Sequence, residues 1–395
     1  MKVVYLDNNA TTMVAPEVLE AMLPFLSERY GNPSSIHSFG GNVAREVGRA
    51  RDHLAALVGA SPQEIVFNSG GTEGDNTAIL SALATMPDRR EIVTTRVEHP
   101  AVLNLCKHLA RERGYKVTWL SVDRQGLLDM EEVRTAIGDR TAIVSVMWAN
   151  NETGVIFPVE EIAEIAHEHG AMMHTDAVQA VGKIPLNMKA CAIDLLSLSG
   201  HKLHGPKGIG ALYIRRGTRF SPFVIGGHQE SNRRGGTENV PGITGLGEAA
   251  CLAAANIREE NERVMQLRDR LQEGLLEAIP YAHVNGHPGF RLPNTLNIGF
   301  EFVEGEAILM RMDDKGICAS SGSACTSGSL EPSHVLRAMG VAFTSVHGSI
   351  RFSLSRYNTD DEIEYVVREV PGIIGFLRQL SPFGREDLAT VCTVQ

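Results

Sequence analysis

No stretch of this 395-residue sequence approaches the run of about 18 apolar residues that a membrane-spanning helix needs. The opening MKVVYLDNNATT also lacks a basic region followed by an apolar one. The expectation is a soluble cytoplasmic protein, not exported and without a membrane partner. Positive charge is scarce: the formal net charge is −10 and the densest basic cluster is Arg233-Arg234, which excludes a broad nucleic-acid surface. Cysteine is sparse, and Cys106, Cys191, Cys251, Cys318, Cys325 and Cys392 form no C-x-x-C pair and no Cys/His spacing of a zinc site. Reduced thiols follow. Cys106, Cys191 and Cys251 sit in apolar or helical settings and read as small hydrophobes. Cys325 does not, because ASSGSACTSGSLEP, residues 319–332, is too small and polar to bury it.

The apolar share is ample, at 43%, and the length exceeds what one core usually serves, so two domains are expected. Helical spacing of Val43, Val47, Ala50, Leu54 and Leu57 is followed by strand, glycine turn and helix in EIVFNSGGTEGDNTAILSAL. Strands are predicted at 91–97, 116–121, 141–148, 171–175, 193–199 and 209–214, with helices near 100–113, 129–138 and 158–169 between them. This alternation argues a mainly parallel sheet with helices on both faces. From about residue 258 a charged helix leads into fewer β-α alternations. The expected division is a large α/β domain over 16–257 and a smaller α+β domain built from 1–15 and 258–395.

Polar clusters fall just beyond the predicted strand ends, where open α/β sheets gather functional groups. NSGGTEGDN, residues 68–76, turns on two glycines and opens a helix at Thr72. Freed backbone N–H groups, the positive helix end and a hydroxyl make a phosphate cup; an ordinary capped glycine turn reads the same way. HTDAVQAVGK, residues 174–183, puts Asp176 at a strand end with Gln179 after it, suited to a ring nitrogen or to capping. Lys202 lies beyond another strand, after Ser199 and His201, where a desolvated amine can form a Schiff base; Lys207, in a tight Gly-Pro-Lys-Gly turn, is the competitor. His99 precedes the helix-opening Pro100, placed either to stack on a ring and move protons or to cap. Asn151, in WANNETG, marks a further strand end or simply an Asn-rich turn. A phosphate cup, a carboxylate for a ring nitrogen, amides for ring substituents, a stacking imidazole and an imine-forming lysine are together the contacts that pyridoxal phosphate requires.

These residues and the Cys325 segment resemble the cysteine desulfurases of the class-V aminotransferase fold, most closely the nitrogen-fixation type. The likeness runs through YLDNNATT, GNPSSIHSFG, VEHPAV, NNETG, HTDAVQAVGK, SGHKLHGPKGIG, GTENVPGI and SSGSACTSG to SIRFSLSRYNT, ending at residue 359. It implies an α/β, fold type I (aspartate aminotransferase-like) transferase dependent on pyridoxal 5'-phosphate, held as a Schiff base on Lys202. Asp176 is then paired to the ring nitrogen, His99 stacks on the ring and Gln179 meets its phenolic oxygen. Gly71, Thr72, Ser199 and His201 match phosphate-binding positions, and Asn151 matches a cofactor and substrate contact. Arg351 matches the arginine that clamps the substrate carboxylate. Thr237 matches a threonine reaching the neighbouring subunit's phosphate, which implies a homodimer. L-cysteine becomes L-alanine while its sulfur passes to Cys325 as a persulfide, bound for an iron–sulfur cluster scaffold protein with which Cys325 can share a transient iron ligand role. The loop's small residues are expected to let Cys325 swing between cofactor and acceptor. Gly74 stands where relatives often carry serine, so one hydroxyl near the phosphate is expected to be absent. The rival readings are a selenocysteine lyase or transaminase of the same fold, and a non-catalytic sulfur carrier; a transaminase has no use for Cys325.

Overall fold

The computed structural model describes residues 3–321 and 332–381, so Cys325 lies outside the described residues. The strands are β1 (Val4–Tyr5), β2 (Ile65–Asn68), β3 (Glu91–Thr95), β4 (Lys116–Leu120), β5 (Thr141–Ser145), β6 (Met172–Asp176), β7 (Leu195–Ser199), β8 (Gly210–Ile214), β9 (Ala282–Val284), β10 (Thr295–Phe300), β11 (Ile317–Cys318) and β12 (Ser349–Ser353). Seven of them form one sheet in the order β2-β8-β7-β6-β5-β3-β4. The sheet is mainly parallel, as expected, but β8 pairs antiparallel with both β2 and β7. Neighbouring residues of a strand point to opposite faces. Met173, Val144 and Leu196 accordingly join one apolar cluster with the helix Ser38–Val58, while Met172, Ile143 and Leu195 join another with the helix Gly71–Thr85. Burial on both faces is why TAIVS and LLSLS read as continuous strands rather than alternating ones.

The chain winds outward from β3 to β4 and then returns through β5, β6 and β7 on the other side of β3. That reversal makes a crevice at the carboxyl ends of β3 and β5. A third apolar cluster gathers Val4 and Leu6 with Leu296, Ile298, Phe300, Ile350, Phe352 and residues of the helix Asp360–Leu380. Here β10 pairs antiparallel with β9 and β12, and β1 pairs parallel with β11, tying the chain's first strand to its last third.

The charged helix predicted from about 258 is the second arm of a longer one, Val240–Ala278, bent by 78° between Ala255 and Ile257. Val240, Ile243, Leu246 and Ala250 of the first arm join the first cluster; Val264, Leu267, Leu271 and Leu275 of the second join the third. Among the described residues no single helix is long and apolar enough to cross a membrane. Cys106 is fully buried as expected, whereas Cys251 is exposed and packs in no core.

Candidate active site

The carboxyl ends of β2, β5, β6 and β7 open onto one cavity of about 260 Å³, between the large sheet and the β10–β12 sheet. Gly71, Thr72, His99, Asn151, Asp176, Gln179, Ser199, His201, Lys202 and Arg351 all line it. The structure thus brings together every expected site residue except Cys325, outside the described residues, and Thr237, which is exposed and lies off this cavity.

At one end, the helix Gly71–Thr85 begins with no side chain capping it, so its first amides are left for a ligand. Gly70, at φ 144°, makes the turn that aims them. A Cβ on Gly71 would come within 2.7 Å of Val178 Cγ2, so only glycine fits the cradle. Gly74, by contrast, faces away from the cavity: a Cβ there would meet Ser197 Oγ at 2.7 Å. The hydroxyl expected to be missing from the phosphate end would therefore have pointed under the helix. His201 hydrogen-bonds through Nδ1 to Thr11 Oγ1 at 3.1 Å, and burial beside Lys202 pushes its pKa down to about 4. It is a neutral polar contact at neutral pH.

At the other end, Asp75, His99 and Asp176 place ligand atoms within 4.8 Å of one another. Asp176 Oδ1 accepts the Val178 N–H at 2.9 Å, so the capping and cavity-lining readings of this residue are both true. His99 is double in the same way. It caps the helix Pro100–Arg113, its Nδ1 accepting the Ala101 N–H at 3.2 Å, which leaves the ring proton on Nε2. Burial lowers its pKa, partly offset by Asp176. Burial raises both carboxyls; the charge of Asp176 adds to the rise of Asp75, while His99 and Lys202 oppose that of Asp176. Behind them His174 bridges Ser145 Oγ at 2.8 Å and Ser197 Oγ at 3.0 Å, and burial drives its pKa to about 3.

Glu98, fully buried next to His99, has its pKa pushed up by burial to about 8. Its Oε1 accepts the Thr95 hydroxyl and the Met147 N–H, while Oε2 has no partner among the described residues. A carboxyl whose folded pKa exceeds its unfolded value stabilises below the unfolded value, and that stability drains away as pH rises. From the ordinary 4.5 to about 8 this group should cost about 1.4 kcal/mol of stability per pH unit. Glu98→Gln is therefore expected to gain on wild type steadily between pH 5 and 8 in urea unfolding; a constant difference across that range would show Glu98 to be ionised in the fold.

Lys202, not Lys207, belongs to the cavity; Lys207 is exposed on its turn. Lys202 Nζ donates to Asn9 O at 2.5 Å and Ala10 O at 2.7 Å. Asn9 is the hub of this wall. Its carbonyl also accepts Gln179 Nε2 at 3.0 Å, its Oδ1 accepts Lys183 Nζ at 3.1 Å, and its Nδ2 donates to Asn151 O at 3.2 Å. Lys183 donates as well to Gln179 Oε1 at 2.7 Å, and desolvation with Lys202 and Arg351 nearby pushes its amine well below the usual lysine value. In WANNETG the turn is made by Asn150, whose Oδ1 accepts two backbone N–H groups, freeing Asn151 to face the cavity. Arg351 on β12 donates through Nη2 to Asp7 Oδ1 at 2.7 Å and through Nη1 to Asn151 O at 3.0 Å.

The described residues flanking the Cys325 segment are anchored beside this cavity. Ser320 pairs with the Arg351 backbone, its N–H donating to Arg351 O at 3.1 Å. On the far side, Ser333 Oγ donates to buried Glu152 at 2.5 Å and His334 Nε2 lies 2.9 Å from Glu98 O, the residue before His99.

The aminotransferase class-V family matches residues 4–366. The chain belongs to this family. Within the class-V aminotransferases, it is 61% identical over 387 residues, 98% of this chain and 97% of the relative, to "Cysteine desulfurase 2" of Trichormus variabilis. It is 58% identical to "Cysteine desulfurase NifS" of Azotobacter vinelandii, over 96% of this chain and 94% of that one. The solved structure of a "NIFS-LIKE PROTEIN" superposes with a TM-score of 0.89 at 39% identity, over 95% of this chain and all of that one. Class-V enzymes depend on pyridoxal phosphate. The residues present fit that group: an uncapped helix start with Thr72 and Ser199 for a phosphate, a buried carboxyl at depth, and a lysine between them. Reading the sequence missed Asn9, Ala10, Asp75, Met147 and Val178, which also line the site of this class-V chain.

Proposed function

We propose that this protein is a cysteine desulfurase that moves sulfur from L-cysteine to Cys325 as a persulfide, releases L-alanine, and supplies iron–sulfur cluster assembly in nitrogen fixation. The observation that carries the reading is the anchoring of Ser320 to Arg351 and of Ser333 to Glu152, on either side of the cavity mouth. Cys325 is five residues from Ser320, and a chain spans at most about 3.5 Å per residue. That short separation in sequence from a residue paired with Arg351 is what makes Cys325 the proposed acceptor.

In this reading Lys202 would bind pyridoxal phosphate through Nζ. Gly71, Thr72, Ser199 and His201 would hold its phosphate, Asp176 its ring nitrogen, Gln179 its phenolic oxygen and His99 a ring face. Bound there, the cofactor supplies an electron sink for the substrate's α-carbon. Arg351 and Asn151 orient the amino acid by its carboxylate. The Lys202 amine would take the α-proton, and neutral His99 would pass a proton through Nε2. The Cys325 thiolate attacks the substrate's sulfur; the Cβ–S bond breaks, its electron pair stays with carbon, and carbon is protonated. Cysteine sulfur is transferred and alanine is formed with no outside oxidant.

The domain division at 16–257 against 1–15 with 258–395 belongs to the same reading, supported by the separate cluster that Val4 and Leu6 join. A homodimer is supported by exposed Thr237 and by apolar side chains left in the open at Leu19, Leu23, Leu26, Tyr30, Ile36 and Ile225, which a second copy would cover. The test is to assay L-cysteine turnover with and without an iron–sulfur scaffold protein. Alanine and transferred sulfur are expected in equal amounts; alanine formed without sulfur transfer defeats the proposal.

A further inference from the structure

The guanidinium that faces the cavity already holds a carboxylate. Arg351 has only 3% of its side chain exposed, and Asp7 Oδ1 sits 2.7 Å from its Nη2. Nη1 is committed to Asn151 O, and the buried Nε has no partner among the described residues. Asp7 itself lies in the chain between β1 and the Asn9 hub, behind Arg351. Its backbone is bridged to Ser353, and its carbonyl accepts the Ala10 N–H at 3.0 Å. Its carboxylate, 19% exposed, has Arg351 as its one hydrogen-bond partner among the described residues.

A guanidinium takes a carboxylate best through two parallel N–H donors, and one of the useful pair here is already taken. Bringing an amino acid's carboxylate alongside Asp7 would set two negative charges against one positive charge in a site with little water. That arrangement is expensive. Exchange avoids it, because the Asp7 side chain reaches solvent and can turn outward while Arg351 stays fixed by Asn151.

We infer that Asp7 is a positioning residue that occupies Arg351 in the resting enzyme, is displaced by the carboxylate of the incoming amino acid, and returns as alanine departs. The inference rests on the proposed binding of an α-amino acid at Arg351. Its consequence is counterintuitive for a residue beside a site: neutralising Asp7 tightens binding. Asp7→Asn keeps an oxygen for Nη2 and removes the competing charge.

The test uses the cofactor-loaded enzyme, titrating L-alanine and reading the change in cofactor absorbance. Ethylamine, which is alanine without its carboxylate, is the control. Asp7→Asn is expected to bind L-alanine about fivefold more tightly, the size of a partly exposed charge pair, with ethylamine unchanged. Asp7→Ser, which also removes the charge, is read the same way should the Asn variant fail to fold or load. Alanine affinity that is unchanged or weaker in a fully loaded variant overturns the inference and leaves Asp7 a structural support. A wild-type enzyme that does not bind alanine at all would instead defeat the proposed function.

Discussion

Cys325→Ala is expected to lose sulfur transfer from L-cysteine by roughly a hundredfold or more while keeping its cofactor and its absorbance response to substrate. The separation of effects follows from where the parts sit. The cavity is built from strand ends and from the Asn9 wall, and the described residues that line it lie outside the segment that carries Cys325. Removing that thiol takes away the nucleophile and leaves the site that binds and orients the amino acid. Steady-state alanine and sulfur should therefore fall together. A variant that releases alanine at the wild-type rate would mean that the thiol is not needed, which is the behaviour of a transaminase or a lyase that releases its sulfur directly.

Lys202→Ala should have the second large effect, a fall of roughly a thousandfold or more in turnover together with loss of covalently held cofactor. Two consequences separate here. The proton acceptor at the α-carbon disappears, and the carbonyls of Asn9 and Ala10 lose a donor, Asn9 O keeping only Gln179 Nε2 among the described residues. After borohydride reduction, which fixes an imine as a stable amine, the denatured and desalted variant should retain no cofactor whereas wild type retains it. Cofactor retained by the reduced variant would assign the attachment to another amine.

Much of this site was legible because its residues follow strand ends and helix starts, features that turn chemistry writes into local sequence. Thr72, His99, Asp176 and Lys202 each sit within a few residues of a strand or helix boundary. Asp75 was missed although it lies on the same helix as Thr72, three positions on and so on the same face. That period was available. Asn9 was not available from local pattern, because it is placed by partners such as Ser353, 344 residues away, and Thr295. The direction of β8 was likewise invisible, since GALYI reads as a buried strand whichever way it runs. The early start of the long helix was hidden by its first arm, where small residues such as Ala249, Ala250 and Ala253 blur the helical period.

The pairing of β1 with β11, and of Asn9 with Thr295 and Ser353, separates the order of synthesis from the order of assembly. Residues 65–214 contain every strand of the large sheet and can begin to pack as they leave the ribosome, N-terminal portion first. Val4–Ala10 meet Asn151, Gln179 and Lys202 of the large-sheet region, but their partners in β11, Thr295 and Ser353 all follow that region in the chain. The wall that receives Lys202 thus precedes the large sheet in the chain yet is completed by residues that follow it. A chain cut short before β12 would carry its lysine, its carboxyls and its helix start with no Ser353 to position Asn9 and no arginine to receive a substrate. Cofactor capture becomes a late checkpoint on a nearly finished protein.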